Sequence, residues 1–90
     1  MTPADRPFLP RGVRLHQDRV RGVPVLLGPE TALMLDPVGQ AVLAEVDGRR
    51  DVAAISAALA ERYAAPVEMI QSDVIEFLDD MAARRLVEVA

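Results

Sequence analysis

The spacing of apolar residues changes once along this chain of 90 residues, at Asp36-Pro37. Before that point apolar and polar residues alternate in short runs, which is the period of a half-buried strand. After it apolar residues recur every three or four positions, which is the period of an amphipathic helix. One such switch in a chain the length of a single domain predicts an α+β fold in which strands come first and helices follow.

The first region predicts three strands, over residues 13–18, 23–28 and 31–36. Short turns join successive strands, so we expect an antiparallel meander in which the third strand is an edge. Pro24 has no N–H group and must therefore lie where the ladder needs no donor. A three-stranded antiparallel sheet is thus the first half of the predicted fold.

The second region predicts three helices. Asp36 and Asp51 are good N-cap residues for the first two, because a short side-chain oxygen can accept a hydrogen bond from the first turn. Gly48 predicts the end of the first helix. The third helix is predicted over residues 67–84, and a short final strand over residues 86–89. Three strands followed by three helices, with a tight turn before the last, is the order of a winged helix-turn-helix domain.

Residues 1–12 contain three prolines and a glycine, and we interpret them as a flexible N-terminal arm. They include no apolar segment of the kind found in signal peptides. Residues 13–90 would then form a single domain with a modest aliphatic core. No apolar run approaches the ~20 residues of a membrane-spanning helix, so we expect no membrane association.

The residue types that are missing exclude several classes of protein. The chain has no cysteine, which excludes disulfides and a cysteine nucleophile and suits a cytoplasmic protein. His16 is the only histidine, without a second metal ligand at a useful spacing. Ser56 and Ser72 lack the sequence context of a catalytic serine. Asp79 and Asp80 point about 100° apart on one helix and have no partner base. The sequence therefore predicts no catalytic residue, no metal and no cofactor.

The charge is divided unevenly along the chain. Residues 1–27 carry five arginines against two aspartates, a net charge of +3, whereas residues 28–90 carry twelve acidic residues against five arginines, a net charge of −7. The third helix, which would be the recognition helix of a DNA-binding protein, is strongly acidic. Phosphate contacts supply most of the affinity for DNA and require the opposite sign. We therefore expect no specific nucleic-acid ligand, and keep a winged-helix DNA-binding regulator, or its dimerisation module, as the alternative function.

Two features indicate a groove for an extended peptide. The outer side of the third strand carries unpaired main-chain groups, with apolar Ala32 and Met34 where edge strands usually carry charge. The apolar stripe of the third helix is wider than a core needs and extends along one flank. An edge strand beside such a flank would admit a peptide as an added strand. The predicted site residues are Thr31, Ala32, Leu33, Met34, Leu35, Asp36, Gln71, Ile75, Leu78 and Ala82.

Short motifs along residues 10–87 also resemble the PqqD family of pyrroloquinoline quinone biosynthesis. Their order and spacing carry the resemblance, since each motif alone is common. One departure is Met34, where many relatives carry a charged residue. Another is the glycine-proline pair of the second hairpin. The matching runs are Pro10–Leu15, Ala32–Asp36, Val42-Leu43, Asp47-Gly48, Val52–Ile55 with Leu59 and Tyr63, Asp73-Val74, Phe77-Leu78 and Arg85–Val87.

The resemblance implies a non-catalytic peptide chaperone, the recognition element of a ribosomally made and modified peptide. It would bind the precursor peptide PqqA by strand addition and present it to the radical SAM enzyme PqqE. The same resemblance implies that the peptide lies along the third strand and packs against the last helix. We expect a monomer, although an exposed edge strand also permits strand exchange between copies.

Overall fold

The computed structural model describes all 90 residues and confirms an α+β protein with three helices and antiparallel sheets. A three-stranded sheet has the order β2-β3-β4, and a two-stranded sheet pairs β1 with β5. In chain order the elements are β1 (Pro7–Phe8), β2 (Arg14–Asp18), β3 (Val23–Leu27), β4 (Ala32–Met34), α1 (Pro37–Ala44), α2 (Val52–Tyr63), α3 (Val67–Ala83) and β5 (Glu88–Val89).

The three-stranded sheet covers one side of a single aliphatic core. Its register pairs Leu15 with Leu26 and Leu26 with Leu33, so these three side chains share the face that meets the helices. Leu26 is fully buried in the middle of this row. The helices complete the core from the other side. Their buried apolar members are Ala41, Val42, Leu43, Val52, Ile55, Leu59, Val74, Leu78 and Met81.

Both predicted N-caps are present. Asp36 Oδ1 accepts a hydrogen bond from the Gly39 N–H at 2.7 Å, and Asp51 Oδ1 accepts one from the Ala54 N–H at 2.8 Å. Pro37 occupies the first turn of α1, where its missing N–H costs nothing. These caps fix where β4 ends and where each of the first two helices begins.

The first helix is shorter than predicted: it ends at Ala44 and not near Gly48. The residues after it form a loop held by Arg50, whose Nη2 lies 2.7 Å from Glu45 Oε2 and also donates to the Glu45 carbonyl at 2.9 Å. Asp47 Oδ1 accepts hydrogen bonds from the N–H groups of Arg49 and Arg50, both at 2.9 Å. Side chains thus satisfy main-chain groups that another helical turn would have used.

Residues 1–12, which the sequence predicts as a flexible N-terminal arm, form main-chain hydrogen bonds with the rest of the chain. The first two N–H groups of α2 donate to this segment, Val52 to the Asp5 carbonyl and Ala53 to the Pro3 carbonyl, both at 2.9 Å. The Gly48 N–H donates to the Pro7 carbonyl at 2.8 Å, and β1 pairs with β5. The first N–H groups of a helix have no acceptor within the helix. Here the N-terminal segment supplies carbonyl acceptors for two of these N–H groups. Composition indicated a loop but could not reveal what it contacts.

Candidate functional site

The main chain of β4 is bonded on one side only. The Leu35 N–H donates to the Pro24 carbonyl at 2.9 Å, and the Gly28 N–H donates to the Thr31 carbonyl at 2.8 Å. Residues in an antiparallel ladder alternate between bonding to the neighbour and facing away from it. Thr31, Leu33 and Leu35 therefore face β3, and the N–H and C=O groups of Ala32 and Met34 face outward. No other strand covers this edge.

Two close approaches bring residues on either side of β4 near α3 and the residues that follow it. A Cβ atom at Gly28, before β4, would lie 3.0 Å from a Cδ atom of Leu86, just beyond α3. A Cβ atom at Gly39, after β4, would lie 3.2 Å from the ring of Phe77. The chain just before β4 therefore lies near the end of α3, and the chain just after β4 lies near the middle of α3. The side of α3 that carries Phe77 is the side nearest the end of β4.

A cavity of about 250 Å³ opens where β4 leads into α1. Its walls are mainly apolar, and two carboxylates, Asp36 and Asp73, are the acidic groups among its lining residues. Phe77 also borders a shallow depression with Asp73, Glu76 and Asp80, so this flank of α3 is acidic outside the apolar wall. The cavity is lined by Asp36, Val38, Gly39, Ala41, Val42, Leu59, Tyr63, Ile70, Asp73, Val74 and Phe77.

The structure brings the strand residues of the predicted site together but not the helix residues. Gln71 and Ile75 line a separate depression formed by α3 alone. The N-terminal amine lies 2.6 Å from Asp79 Oδ1, on the side of α3 where helix geometry also places Ile75 and Ala82. That flank is therefore on the side of the N-terminal segment. The flank near β4 is the one that carries Phe77.

Leu78 requires a separate correction, because its side chain is 0% exposed. It lies at the centre of the α3 stripe, between Val74 and Met81, and is a core residue that no ligand can contact. The wide apolar stripe of α3 suggested a groove. In the structure, part of this stripe packs in the core and the rest lies on the side of α3 that faces the N-terminal segment. Met34, by contrast, is 61% exposed as expected, and its Sδ atom lies 3.7 Å from Nη1 of Arg21.

Sequence reasoning did not find Phe77, Asp73, Val38 or Tyr63 as residues of a surface cavity. One signal was present. Gly39 lies inside the first helix, where glycine is unfavourable by about 1 kcal/mol relative to alanine. Its lack of a side chain allows the ring of Phe77 to approach, since a Cβ atom there would crowd it. An unexplained glycine in a helix therefore marked where α1 and α3 meet.

The structure has neither a cluster of metal-ligating side chains nor a membrane-spanning helix. The structure contains no group of three His, Cys, Asp or Glu side chains positioned to hold an ion. None of the three helices is long and apolar enough to span a bilayer. What the site offers is an unpaired strand edge, an apolar cavity and two carboxylates.

Comparisons with known proteins show which sequences and structures this chain is similar to. The sequence model of coenzyme PQQ synthesis protein D (PqqD) matches residues 25–87. The PqqA binding protein of Rhizobium meliloti is 46% identical over 81 residues, covering 90% of this chain and 83% of that protein.

Two solved structures are also similar. The solution NMR structure of the PqqD truncation of Methylobacterium extorquens PqqCD, described as a functional and stand-alone recognition element for ribosomally synthesised and modified peptides, is 42% identical. It superposes with a TM-score of 0.84 over 97% of this chain and 93% of its own. The crystal structure of PqqD from Xanthomonas campestris is 38% identical, with a TM-score of 0.61 over 87% of each chain. With a family match over most of its length and relatives of this similarity, the chain belongs to the PqqD family.

Proposed function

We propose that this protein binds the precursor peptide PqqA as a strand added to β4 and presents it to the radical SAM enzyme PqqE. The observation that carries the proposal is the unpaired edge at Ala32 and Met34, which directs four main-chain groups away from the sheet. An extended peptide satisfies such groups whatever its sequence. The names of the relatives supply the identity of the peptide, since they are called PqqA binding proteins.

Main-chain pairing alone would give weak binding. Each net hydrogen bond contributes about 1 kcal/mol, so four contribute about 4 kcal/mol, which corresponds to a Kd of about 1 mM. Selective binding therefore needs side-chain contacts as well. The cavity beside the end of β4 can provide such side-chain contacts, because it is large enough for an apolar side chain. It lies just beyond β4, so a peptide paired with β4 could place a side chain in it.

We infer that the peptide contacts the Phe77 flank of α3 rather than the flank of Gln71, Ile75 and Ala82. Phe77 closes the cavity wall nearest the end of β4, and Asp73 is the carboxylate on α3 that lines the same cavity. The peptide-binding residues that we propose are therefore the β4 segment Thr31–Asp36, with Leu33 and Leu35 supporting it from the core side, together with Asp73 and Phe77.

We also infer that the arrangement is a variant of the winged helix-turn-helix. Its support is the order of elements and the tight connection between α2 and α3, where Ala64 has left-handed backbone angles of φ 51° and ψ 46°. In this comparison α3 would be the recognition helix. The acidic residues that flank Phe77 on α3 argue against DNA as its ligand, because they would repel phosphates.

The decisive test is a titration of ¹⁵N-labelled protein with synthetic PqqA, followed by amide chemical shifts. We expect the largest changes at residues 31–36 and around Phe77, and small changes at Gln71 and Ile75. Changes concentrated at Gln71 and Ile75 would place the peptide on the other flank of α3. An absence of any change at saturating peptide would refute the proposed function.

A further inference from the structure

The face of the three-stranded sheet that points away from the helices has an apolar centre. One cross-strand row contains His16, Val25 and Met34, because His16 pairs with Val25 and Val25 with Met34. Val25 in the middle of this row is only 5% exposed, whereas Met34 at the edge of the sheet is 61% exposed. The adjacent row brings Leu27 and Ala32 to the same face. The sheet thus has a second face, opposite the one that packs against the helices, and the centre of this second face is apolar.

Arginine side chains border this centre. Arg14 pairs with Leu27 across the strands, and Arg21 reaches back from the β2–β3 turn to the sulfur of Met34. Both arginines are exposed, as is His16. Arginine and methionine are enriched in protein interfaces, and an apolar centre with a polar rim is the usual anatomy of one. We call this surface, with Arg14, His16, Arg21, Val25 and Met34, the outer sheet face.

The β2–β3 turn extends the outer sheet face with an apolar tip. Val20 lies there between two arginines and is 95% exposed. The turn is ordered by hydrogen bonds to Asp18. Its side-chain Oδ1 accepts from the N–H groups of Val20 and Arg21 at 3.0 and 3.2 Å, and its carbonyl accepts from the Gly22 N–H at 2.7 Å. A fixed turn presents Val20 without the entropy cost of ordering a loop on binding.

The outer sheet face remains free when the peptide site is filled. The inner face of the sheet is occupied by helices, and a peptide on the β4 edge would occupy the outward groups of Ala32 and Met34. The side chain of Met34 belongs to the outer sheet face, whereas its main chain belongs to the edge. A protein docked on this face would therefore lie directly beside the bound peptide.

We propose that the outer sheet face and the Val20 tip form the docking surface for the enzyme that receives the bound peptide. This inference rests on the proposed function, since it requires that a peptide be handed on. The partner surface it fits has an apolar centre and an acidic rim, because Arg14, Arg19 and Arg21 outnumber Asp18, which shares this face and pairs with Arg21. Rim charges of this kind chiefly raise the association rate and make it depend on salt.

The test uses the full chain with Arg19 and Arg21 changed together, R19E/R21E. The hydrogen bonds to Asp18 Oδ1 come from main-chain N–H groups and stay available in this variant, whereas the ion pair of Arg21 Nε with Asp18 Oδ2, at 3.9 Å, is removed. Circular dichroism checks that the fold is kept. Binding to purified PqqE is measured by biolayer interferometry, and binding to labelled PqqA by fluorescence anisotropy. We expect R19E/R21E to bind PqqE at least about tenfold more weakly, mainly through slower association, with unchanged affinity for PqqA.

The matched control is R49E/R62E, which makes the same change in net charge beside and within α2. It should bind PqqE within about twofold of the wild type. The inference is overturned if R19E/R21E binds PqqE as well as this control, if the wild type does not bind PqqE, or if R19E/R21E also loses PqqA. Tighter binding of a short DNA duplex than of PqqE at physiological salt would overturn it too. The wild-type titration with PqqA tests the proposed function separately.

Discussion

Met34 directs its main chain and its side chain to different surfaces. Its N–H and C=O face the open edge of the sheet, while its side chain lies on the face opposite the core, near Arg21. A substitution that alters only the N–H therefore tests strand addition without touching the core. Leu33 is unsuitable for this purpose, because its main chain bonds to β3 and its side chain packs against the core cluster.

We expect Met34→Pro to weaken PqqA binding at least about tenfold, about 1.4 kcal/mol, because proline removes one outward donor and its ring obstructs an added strand. Leu33 already has the extended backbone that a following proline requires, so the fold should survive. Met34→Ala, which keeps the N–H, is the control and should bind nearly as the wild type does. Isothermal titration calorimetry measures both. A folded Met34→Pro protein with wild-type affinity would exclude pairing at this position.

Ser56 offers a stability prediction at the same scale. Its side chain is fully buried within α2, and its hydroxyl oxygen has no hydrogen-bond partner. An unpaired buried hydroxyl costs about 1–3 kcal/mol, and alanine is also the better helix former by about 0.5 kcal/mol. We expect Ser56→Ala to raise the free energy of unfolding by about 1–2 kcal/mol in urea denaturation. Ser72→Ala, on the exposed side of α3, measures the effect of helix propensity alone. An equal gain in the free energy of unfolding from both substitutions would show that the buried hydroxyl of Ser56 carries no penalty.

At the scale of elements, the sequence predicted the strands and helices because each has a hydrophobic period, and both N-caps because their side chains act locally. The short final strand expected over residues 86–89 is present as β5, but β1 was not predicted, since a strand of two residues has no period. The flank of α3 that a peptide contacts stays a prediction, although the structure places Gln71 and Ile75 in a depression formed by α3 alone. The rotation of α3 depends on Phe77 packing against Gly39 and on the N-terminal segment lying by Asp79, and both are contacts between distant parts of the chain.

The loop between α1 and α2 gives a prediction about pH. Hydrogen bonds from the main-chain N–H groups of Arg50 and Arg49 hold the pKa of Asp47 below its ordinary value of 3.8. A carboxyl whose pKa is lower in the folded state stabilises the protein above its unfolded pKa, and that contribution is lost as the pH falls through its folded pKa. We therefore expect Asp47→Ala to destabilise the protein at neutral pH, with a difference from the wild type that shrinks below about pH 4.

Urea unfolding of wild type and Asp47→Ala at about pH 7 and about pH 3 measures this difference. The other carboxyl groups are common to both proteins, so their titration cancels in the comparison. Asp47→Asn retains an oxygen that can accept from the same N–H groups but cannot ionise. Its difference from Asp47→Ala should depend little on pH. A destabilisation by Asp47→Ala of equal size at both pH values would show that the charge of Asp47 has no role.

On the scale of the whole molecule, membership in the PqqD family shows that the chain is not itself an enzyme, as the lack of a catalytic constellation in its sequence predicted. The positive and negative charges that are separated along the sequence are also separated in the structure. Three of the five arginines in the first 27 residues, Arg14, Arg19 and Arg21, lie on the outer sheet face or in its turn. On α3, three acidic residues border Phe77, namely Asp73, Glu76 and Asp80. Opposite charges thus lie on surfaces for which we propose different partners.

This separation predicts how binding responds to salt. If the peptide is held by main-chain hydrogen bonds and an apolar cavity, its affinity should change by less than about tenfold between about 50 and about 200 mM salt. DNA would behave otherwise, because each neutralised phosphate releases a counterion and several such contacts lower the affinity by orders of magnitude over that range. Fluorescence anisotropy with labelled PqqA and with a labelled duplex compares the two directly.

We expect any binding to DNA to be weak, to require the arginines of residues 6–21, and to vanish at physiological salt. The helical portion, with a net charge of −7 over residues 28–90, cannot supply many phosphate contacts, whereas the +3 segment before it can supply a few without sequence preference. R19E/R21E should therefore abolish the residual DNA binding and leave the salt response of the peptide unchanged. Sequence-specific DNA binding that persists at physiological salt and depends on α3 would reverse the functional assignment, because an acidic recognition helix could then bind phosphate.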